Sequence, residues 1–257
     1  MRTFLLLCLV SFTLAGAELA PTGTLRASFL GLNPVQGKVD PQTGAITGPV
    51  PDIVKELARK LGVPFQLLPS PNAQAVIDHL KDHTADIGFL AYDEKRASDV
   101  DFAGSYALMF NAYVVPADSP IKKTADADRA GVRIGAVRGQ TQELYLSGNI
   151  KAGQVKVFET MPPQAELERL LLSGELQAFG VNRQRAEESA SVSPKLRAIP
   201  DNFLTVEQEV IFLKGDPAKA EQINRMIEDL KQSGFIKASL ERAKISGVAV
   251  APPRHPK

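Results

Sequence analysis

From Thr24 onward, short unbroken apolar runs alternate with longer segments in which apolar residues recur every three or four positions. A continuous run of a few apolar residues suits a strand covered on both faces, whereas the three-four spacing marks one face of a helix. Leu25–Leu30 reads as a first strand, ending in the loop Gly31-Leu-Asn33-Pro34. The polar stretch with Asp40-Pro41 and Thr43-Gly44 predicts a turn and a small excursion. Pro51 opens a helix whose Ile53, Val54, Leu57, Ala58 and Leu61 share a face, with Gly62 as its stop. Val63–Leu68 is a second strand, Val76, Ile77 and Leu80 mark a second helix, and Ile87–Leu90 is a third strand. The pattern then restarts. Strands are expected at 107–115, 133–137, 155–158, 178–181 and 207–213. Helices are expected at 140–146, 163–173, 183–190, 217–232 and 235–243.

This alternation predicts an α/β protein with two mainly parallel sheets flanked by helices. The chain is expected to cross between the two sets twice, near 103–108 and near 204–209, which makes a hinge of two connections. The expected division is 18–105 for the first lobe, 106–206 for the second, and 207–250 for the return to the first. In open α/β sheets a ligand sits beyond the carboxyl ends of the strands, and the candidate residues below fall there.

The N-terminus adds a location. Met1-Arg2-Thr3 is a positive start, Phe4 to Gly16 is an apolar run too short to span a bilayer comfortably, and Ala15-Gly16-Ala17 supplies small residues before Glu18. Residues 1–17 therefore read as a secretory signal peptide. The alternative is a retained anchor. Cleavage would remove Cys8, the only cysteine, so the mature fold would have no disulfide. It would also remove Arg2 and no acid, taking the formal charge from +1 to 0. Mixed charges without a basic stripe argue against nucleic acid. The tail 251–257, rich in proline, reads as a disordered end.

The strongest chemical signal is Asp86-Ile-Gly-Phe-Leu-Ala-Tyr-Asp-Glu-Lys-Arg96, followed by Asp101-Phe102 and Tyr106. A buried strand runs into a short turn carrying one arginine. A guanidinium is a planar fork of donors that matches a carboxylate with two parallel hydrogen bonds. The pattern points to a receptor for a small anionic or zwitterionic solute. The bland reading of Arg96 is a surface ion pair with Glu94 or Asp99.

Taken together, Gly48-Pro-Val-Pro-Asp52, Ala85–Ala91, Arg96 with Asp101-Phe102 and Tyr106, Gly131–Thr141 and Leu172–Ala178 resemble periplasmic solute-binding proteins of the polar amino-acid type, family 3. These are receptor subunits of ABC importers. The resemblance covers about Thr22 to Val250, and its order and spacing are more specific for the fold than for the ligand. It implies a type II periplasmic-binding-protein fold, a periplasmic monomer without cofactor, and an inner-membrane permease as partner. It also implies that Arg96 grips a ligand carboxylate. Gly139-Gln140-Thr141 would meet that carboxylate from a helix N-terminus in the second lobe. Asn33, Phe29 and Phe89 match positions where the family lines its pocket with a polar side chain and aromatic walls. The Phe residues fit a core role equally, and Gly139–Thr141 fits a plain strand-to-helix turn.

Two residues depart from the family pattern. The position that holds an Asp for the ligand's ammonium is Asn182, which brings no charge. The Thr or Ser expected three residues before the arginine is Asp93, a carboxylate that would repel an anion unless it ties down Arg96 or points away. A hydroxy or keto acid, an amide-bearing solute or a modified amino acid then fits as well as a standard amino acid.

Other classes have weaker support. A dehydratase on the same fold would need an acid or base, and Asp93, Glu143 and Glu207 are the candidates. A sensor partner that binds the same kind of ligand has no motif to separate it from a transport receptor. His79 and His83, four apart, could share a helix face, but a metal site would want a third ligand beside them.

Overall fold

A computed structural model describes residues 18–31, 33 and 35–253. The expected signal segment and the last four residues lie outside the described residues. The architecture is α/β, built on one continuous ten-stranded sheet.

The first half contains β1 (Leu25–Leu30), a two-strand hairpin β2 (Lys38–Val39) and β3 (Ile46–Thr47), and helix α1 (Pro49–Leu61). β4 (Phe65–Ser70), α2 (Ala73–Lys81) and β5 (Ile87–Ala91) follow, then a single 3-10 turn at Arg96–Ser98. The hairpin is the excursion expected at Asp40–Gly44, closed by the Asp40 amide on the Ala45 carbonyl at 2.8 Å. The second half holds β7 (Arg133–Val137), α3 (Thr141–Asn149), β8 (Gln154–Phe158), α4 (Gln164–Leu172), β9 (Ala178–Asn182), α5 (Arg183–Val192) and β10 (Leu196–Ala198). Between and after the halves run β6 (Val100–Pro116) and β11 (Leu204–Leu213). The chain then adds α6 (Pro217–Gln232), α7 (Phe235–Arg242) and β12 (Val248–Val250).

Local signals account for most element ends. Gly62 takes a left-handed φ of 71° and stops α1, its amide reaching Ala58 and Arg59 carbonyls. Asn72, Asn182 and Asp216 cap α2, α5 and α6 with their side-chain oxygens.

The sheet order β4-β1-β5-β11-β6-β9-β7-β8 places the two long strands in the middle. β1 pairs in parallel with β4 and β5, and β7 in parallel with β8 and β9. β6 is 17 residues long and antiparallel to β11. Its first part faces β11 beside β5, and its last part faces β9 from Asn111 to Val114. The expected crossings at 103–108 and 204–209 thus fall inside two strands that run through both halves. A bulge at Gly104, with φ of 59°, bends β6 where the halves begin to part. A Cβ there would press to 2.7 Å from Ile227 Cγ1, so α6 packs directly on the glycine.

Each half has its own core. In the first, Leu25, Ala27, Phe29, Phe89, Tyr106 and Phe212 pack against α1, α6 and α7, while α2 covers the other face through Val76, Ile77 and Leu80. In the second, Leu167, Leu170 and Leu171 of α4 cover one face, and Leu146 of α3 joins the core on the other.

Two expectations need correction. The C-terminal tail does not leave the fold at 251. β12 lies on β6 at Ala107–Met109, the Ala251 amide donates to Tyr106, and Lys231 Nζ holds the Pro252 carbonyl at 2.8 Å. His79 and His83 do not share a helix face, because α2 ends at Lys81 and His83 has a left-handed φ of 54°.

Candidate functional site

The carboxyl ends of β5, β7 and β9 bring the expected site residues toward the junction of the halves. On the first half, β5 ends at Ala91 and the chain turns at Asp93. The Asp93 Oδ1 accepts from the amides of Lys95 at 3.0 Å and Arg96 at 3.3 Å, and the Asp93 carbonyl accepts from Ala97 at 3.1 Å. The carboxylate thus builds the turn that carries the arginine.

Arg96 is aimed by its neighbours. Nη1 donates to the Ala91 carbonyl at 2.9 Å, and Nη2 reaches across to the Gly139 carbonyl in the second half at 3.4 Å. Burial lowers the guanidinium from its ordinary value, and the charge of Asp93 opposes that shift. An arginine stays protonated through such shifts, so the junction holds a fixed positive charge.

On the second half, Gly139 sits between β7 and α3 with φ of 69°, a conformation that suits glycine. Its amide donates to Glu143 Oε2 at 3.1 Å, and Glu143 Oε1 accepts from Ser147 Oγ at 2.9 Å. Gln140 is the N-cap residue and Thr141 the first helical residue of α3. The first amides of a helix have no partner within it, and the dipole there favours an anion. Glu143 already lends negative charge to this end.

The next residue, Gln142, was not singled out by the sequence. It is buried and donates through Nε2 to Asn111 Oδ1 at 2.7 Å. Asn111, also buried, donates through Nδ2 to the carbonyls of Met109 at 3.4 Å and Leu204 at 3.3 Å. The first turn of α3 is thereby tied to both long strands. The available signal was a lone amide in the otherwise apolar run of β6.

Asn182 lies level with Asn111 in the β6–β9 pair, at the end of β9. Its Oδ1 accepts the Arg185 amide at 2.8 Å, so its acceptor serves as the cap of α5. Asn33 likewise organises its own loop, its Oδ1 accepting the Val35 amide at 3.1 Å. The adjoining Gln36 is buried, takes the Leu30 amide at 2.8 Å and reaches Gln208 Oε1 at 3.4 Å.

Phe29 and Phe89 are corrections. Both are 0 % exposed inside the first core, and Phe89 meets Tyr106 edge-on at 5.8 Å. They sit within strands, on the face that α1 and α6 cover, so they present no wall to a ligand. The exposed aromatic at this place is Tyr92, 45 % accessible, one residue past β5 and edge-on to Phe102 at 5.1 Å.

Beside the Arg96–Gly139 contact lies a cavity of about 900 Å³, lined by Tyr92–Lys95, by Thr141, Leu144, Tyr145 and Asn149 of α3, and by Leu204–Glu207 of β11. Among the described residues no cluster of three metal-binding side chains occurs, and no helix is long and apolar enough to cross a membrane.

The model of the bacterial extracellular solute-binding proteins, family 3, matches residues 32–243. No curated protein matches the chain as a significant relative. Among solved structures, a mutant of ArgBP from T. maritima is 23% identical, with a TM-score of 0.69 over 90% of this chain and 99% of that one. An ancestral amino-acid-binding protein, described as a precursor of cyclohexadienyl dehydratase, is 23% identical, with a TM-score of 0.70 over 88% and 98%. The cysteine-binding protein from Campylobacter jejuni is 21% identical, with a TM-score of 0.70 over 89% and 92%. At these identities the likeness is one of fold.

Proposed function

Because the chain belongs to the bacterial extracellular solute-binding proteins of family 3, we propose that it is a capture receptor of an ABC importer, for a small solute bearing a carboxylate. The solute class is an amino acid or an amino-acid-like acid. The receptor would work in the periplasm as a monomer, without a cofactor, and deliver its cargo to an inner-membrane permease.

The observation that carries this reading is the aimed guanidinium of Arg96, set opposite the N-terminus of α3. Ala91 and Gly139 take two of its donors through carbonyl oxygens, and a guanidinium has five. A ligand carboxylate between Arg96 and the α3 amides would meet positive charge from both halves. Bound there, it would bridge Arg96 in one half to Gly139, Gln140 and Thr141 in the other. Closure around the ligand then follows as a shift of population toward the bridged form.

Asp93 does not oppose this. Its carboxylate faces the turn amides and raises the charge-holding tendency of Arg96. Of the three acid or base candidates for a dehydratase, Asp93 and Glu143 already accept backbone amides, while Glu207 lines the cavity. Asn182 and Asn33 would contribute their amide nitrogens, as their oxygens are committed to local caps. Donors there favour a solute with an acceptor, such as a hydroxy, keto or amide group, over one that relies on its ammonium.

The test is a melting-temperature screen of amino acids, their keto and hydroxy analogues, and the matching carboxamides. A solute at 100 times its dissociation constant adds about 2.7 kcal/mol of stability. We expect acids to raise the melting temperature and carboxamides to leave it unchanged. Equal stabilisation by acid and carboxamide would remove the carboxylate from the proposal.

A further inference from the structure

Two long strands, β6 and β11, join the halves, and a third piece of chain past α7 is fastened to both. At its start the backbone turns at Gly247, whose φ is 68°. A Cβ there would stand 2.5 Å from Arg183 Cβ and 3.2 Å from the Gln184 amide nitrogen, so the glycine lies directly on the first turn of α5 in the second half. Arg183 is itself held in place: Nε donates to Asn202 Oδ1 at 2.6 Å, and Nη2 donates to the carbonyls of Pro200 and Asp201 at 3.0 Å. The Gly247 carbonyl takes the Phe110 amide at 2.9 Å, and β12 then runs antiparallel along Met109, Leu108 and Ala107, just short of where β9 joins β6 at Asn111. The other end is tied to the first half. The Ala251 amide donates to the Tyr106 carbonyl at 3.2 Å. Lys231 of α6, its side chain only 5 % exposed, donates through Nζ to the carbonyls of Pro252 at 2.8 Å and Ser105 at 3.3 Å, and pairs with Glu228 at 2.5 Å.

We propose that residues 247–252 are a third hinge connection, a strap that limits how far the two halves move apart. A hinge of two connections lets the halves rock about it. A third segment, anchored at both ends, removes part of that freedom. Opening must either lift Gly247 off α5 or draw the Pro252 carbonyl away from a buried ammonium, and a buried charge that loses its partners is costly. The halves stand close here, with Arg96 Nη2 on the Gly139 carbonyl at 3.4 Å. The strap therefore favours the near arrangement before any solute is bound, and a solute adds to a population already shifted that way.

The test is a distance measurement across the junction by pulsed dipolar spectroscopy. Gln74 and Thr160 are exposed and follow the carboxyl ends of β4 and β8, the outer strands of the sheet. Cys8 is the one cysteine of the chain, so Gln74→Cys and Thr160→Cys together with Cys8→Ser carry a single pair of spin labels. The full chain without solute should give a narrow distance distribution. Lys231→Met, which frees the first-half end, and Gly247→Ala, which unseats the second-half end, should each broaden it and lengthen the mean by more than about 2 Å. Lys219→Met is the control: it removes another α6 ammonium, the one on the Asp86 carbonyl at 3.1 Å, at the opposite end of the helix from Lys231, and should leave the distribution unchanged. Melting curves show which variants fold. Where a strap variant does not, hydrogen exchange of the unaltered chain decides, since the Phe110 and Ala251 amides should exchange within about tenfold of the β6–β11 ladder amides, and faster exchange overturns the proposal. So does a wild-type distribution in either folded strap variant, or an equal shift in Lys219→Met. Because the distances are read without solute, they judge the strap independently of whether the chain captures a carboxylate.

Discussion

The two sides of the junction make positive potential by different means. In the first half it comes from one side chain, Arg96, held by the Ala91 carbonyl on a turn that Asp93 builds. In the second it comes from the backbone of α3, and part of it is already answered by Glu143, which takes the Gly139 amide. One side is a fixed unit charge and the other a partly neutralised dipole. The contrast teaches that affinity for a carboxylate should rest on the first half, and that the second half should tune it.

The largest expected effect follows from that asymmetry. Arg96→Ala should weaken binding of a carboxylate solute by at least ~100-fold, with little change in melting temperature. Arg96→Lys should recover only part of the loss, since an ammonium keeps the charge but not the planar fork. Calorimetry on both variants checks this, and wild-type affinity in Arg96→Ala would place the anion on the second half alone.

Next in size is the tie between α3 and the long strands. Gln142→Ala removes the donor to the buried Asn111 oxygen, and leaving such an acceptor unmet costs about 1–3 kcal/mol. Urea unfolding should show that loss of stability. The same variant should weaken solute binding more than Ser147→Ala does, because it loosens the helix end proposed to meet the ligand. Equal affinity in the two would make the Gln142–Asn111 pair a purely structural contact.

A smaller effect sharpens the tuning role. Glu143→Gln takes a negative charge from the α3 N-terminus, where charge effects amount to about 0.3–1 kcal/mol at low salt. Anion affinity should rise by the matching few-fold, and the gain should shrink in high salt. Asn182→Asp provides the converse probe. Asp caps a helix as well as Asn does, so the fold should hold, while affinity should fall for a hydroxy or keto acid and rise for its amino counterpart.

The smallest effect lies away from the junction. Asp128 in the second half accepts the amides of Lys151, Ala152 and Gly153, and those hydrogen bonds, led by the one from Gly153, hold its carboxyl below the ordinary aspartate range. A group lowered in the folded state stabilises above its unfolded value, about 3.9, and loses that contribution as pH falls through the folded value. Asp128→Asn should flatten the acid side of the stability curve below about pH 4 and leave solute binding unchanged. A changed affinity would show that this loop communicates with α3.

The sequence by itself determined the α/β alternation, most helix ends and the turn that carries Arg96. These depend on neighbours three or four residues apart, on strand-length apolar runs and on caps such as Gly62 and Asn72, all of which are local. Tertiary structure decided what one-dimensional patterns do not contain. The start of β6 was hidden because Val100–Tyr106 mixes polar and apolar residues, and its ladder with β11 joins residues about a hundred positions apart. β12 is three residues long and exists only because β6 offers it an edge. Phe89 and Tyr92 show the limit most plainly. Both are aromatics in one short stretch, yet the first lies within β5 under helices from far along the chain and the second stands just past its end. Which of them meets a ligand depends on what packs above the strand. In the same way, only the packing of α3 against β6 gave Gln142 a buried partner in Asn111. Burial of a polar group is settled by elements distant in sequence, and its need for a partner ties those elements to one another.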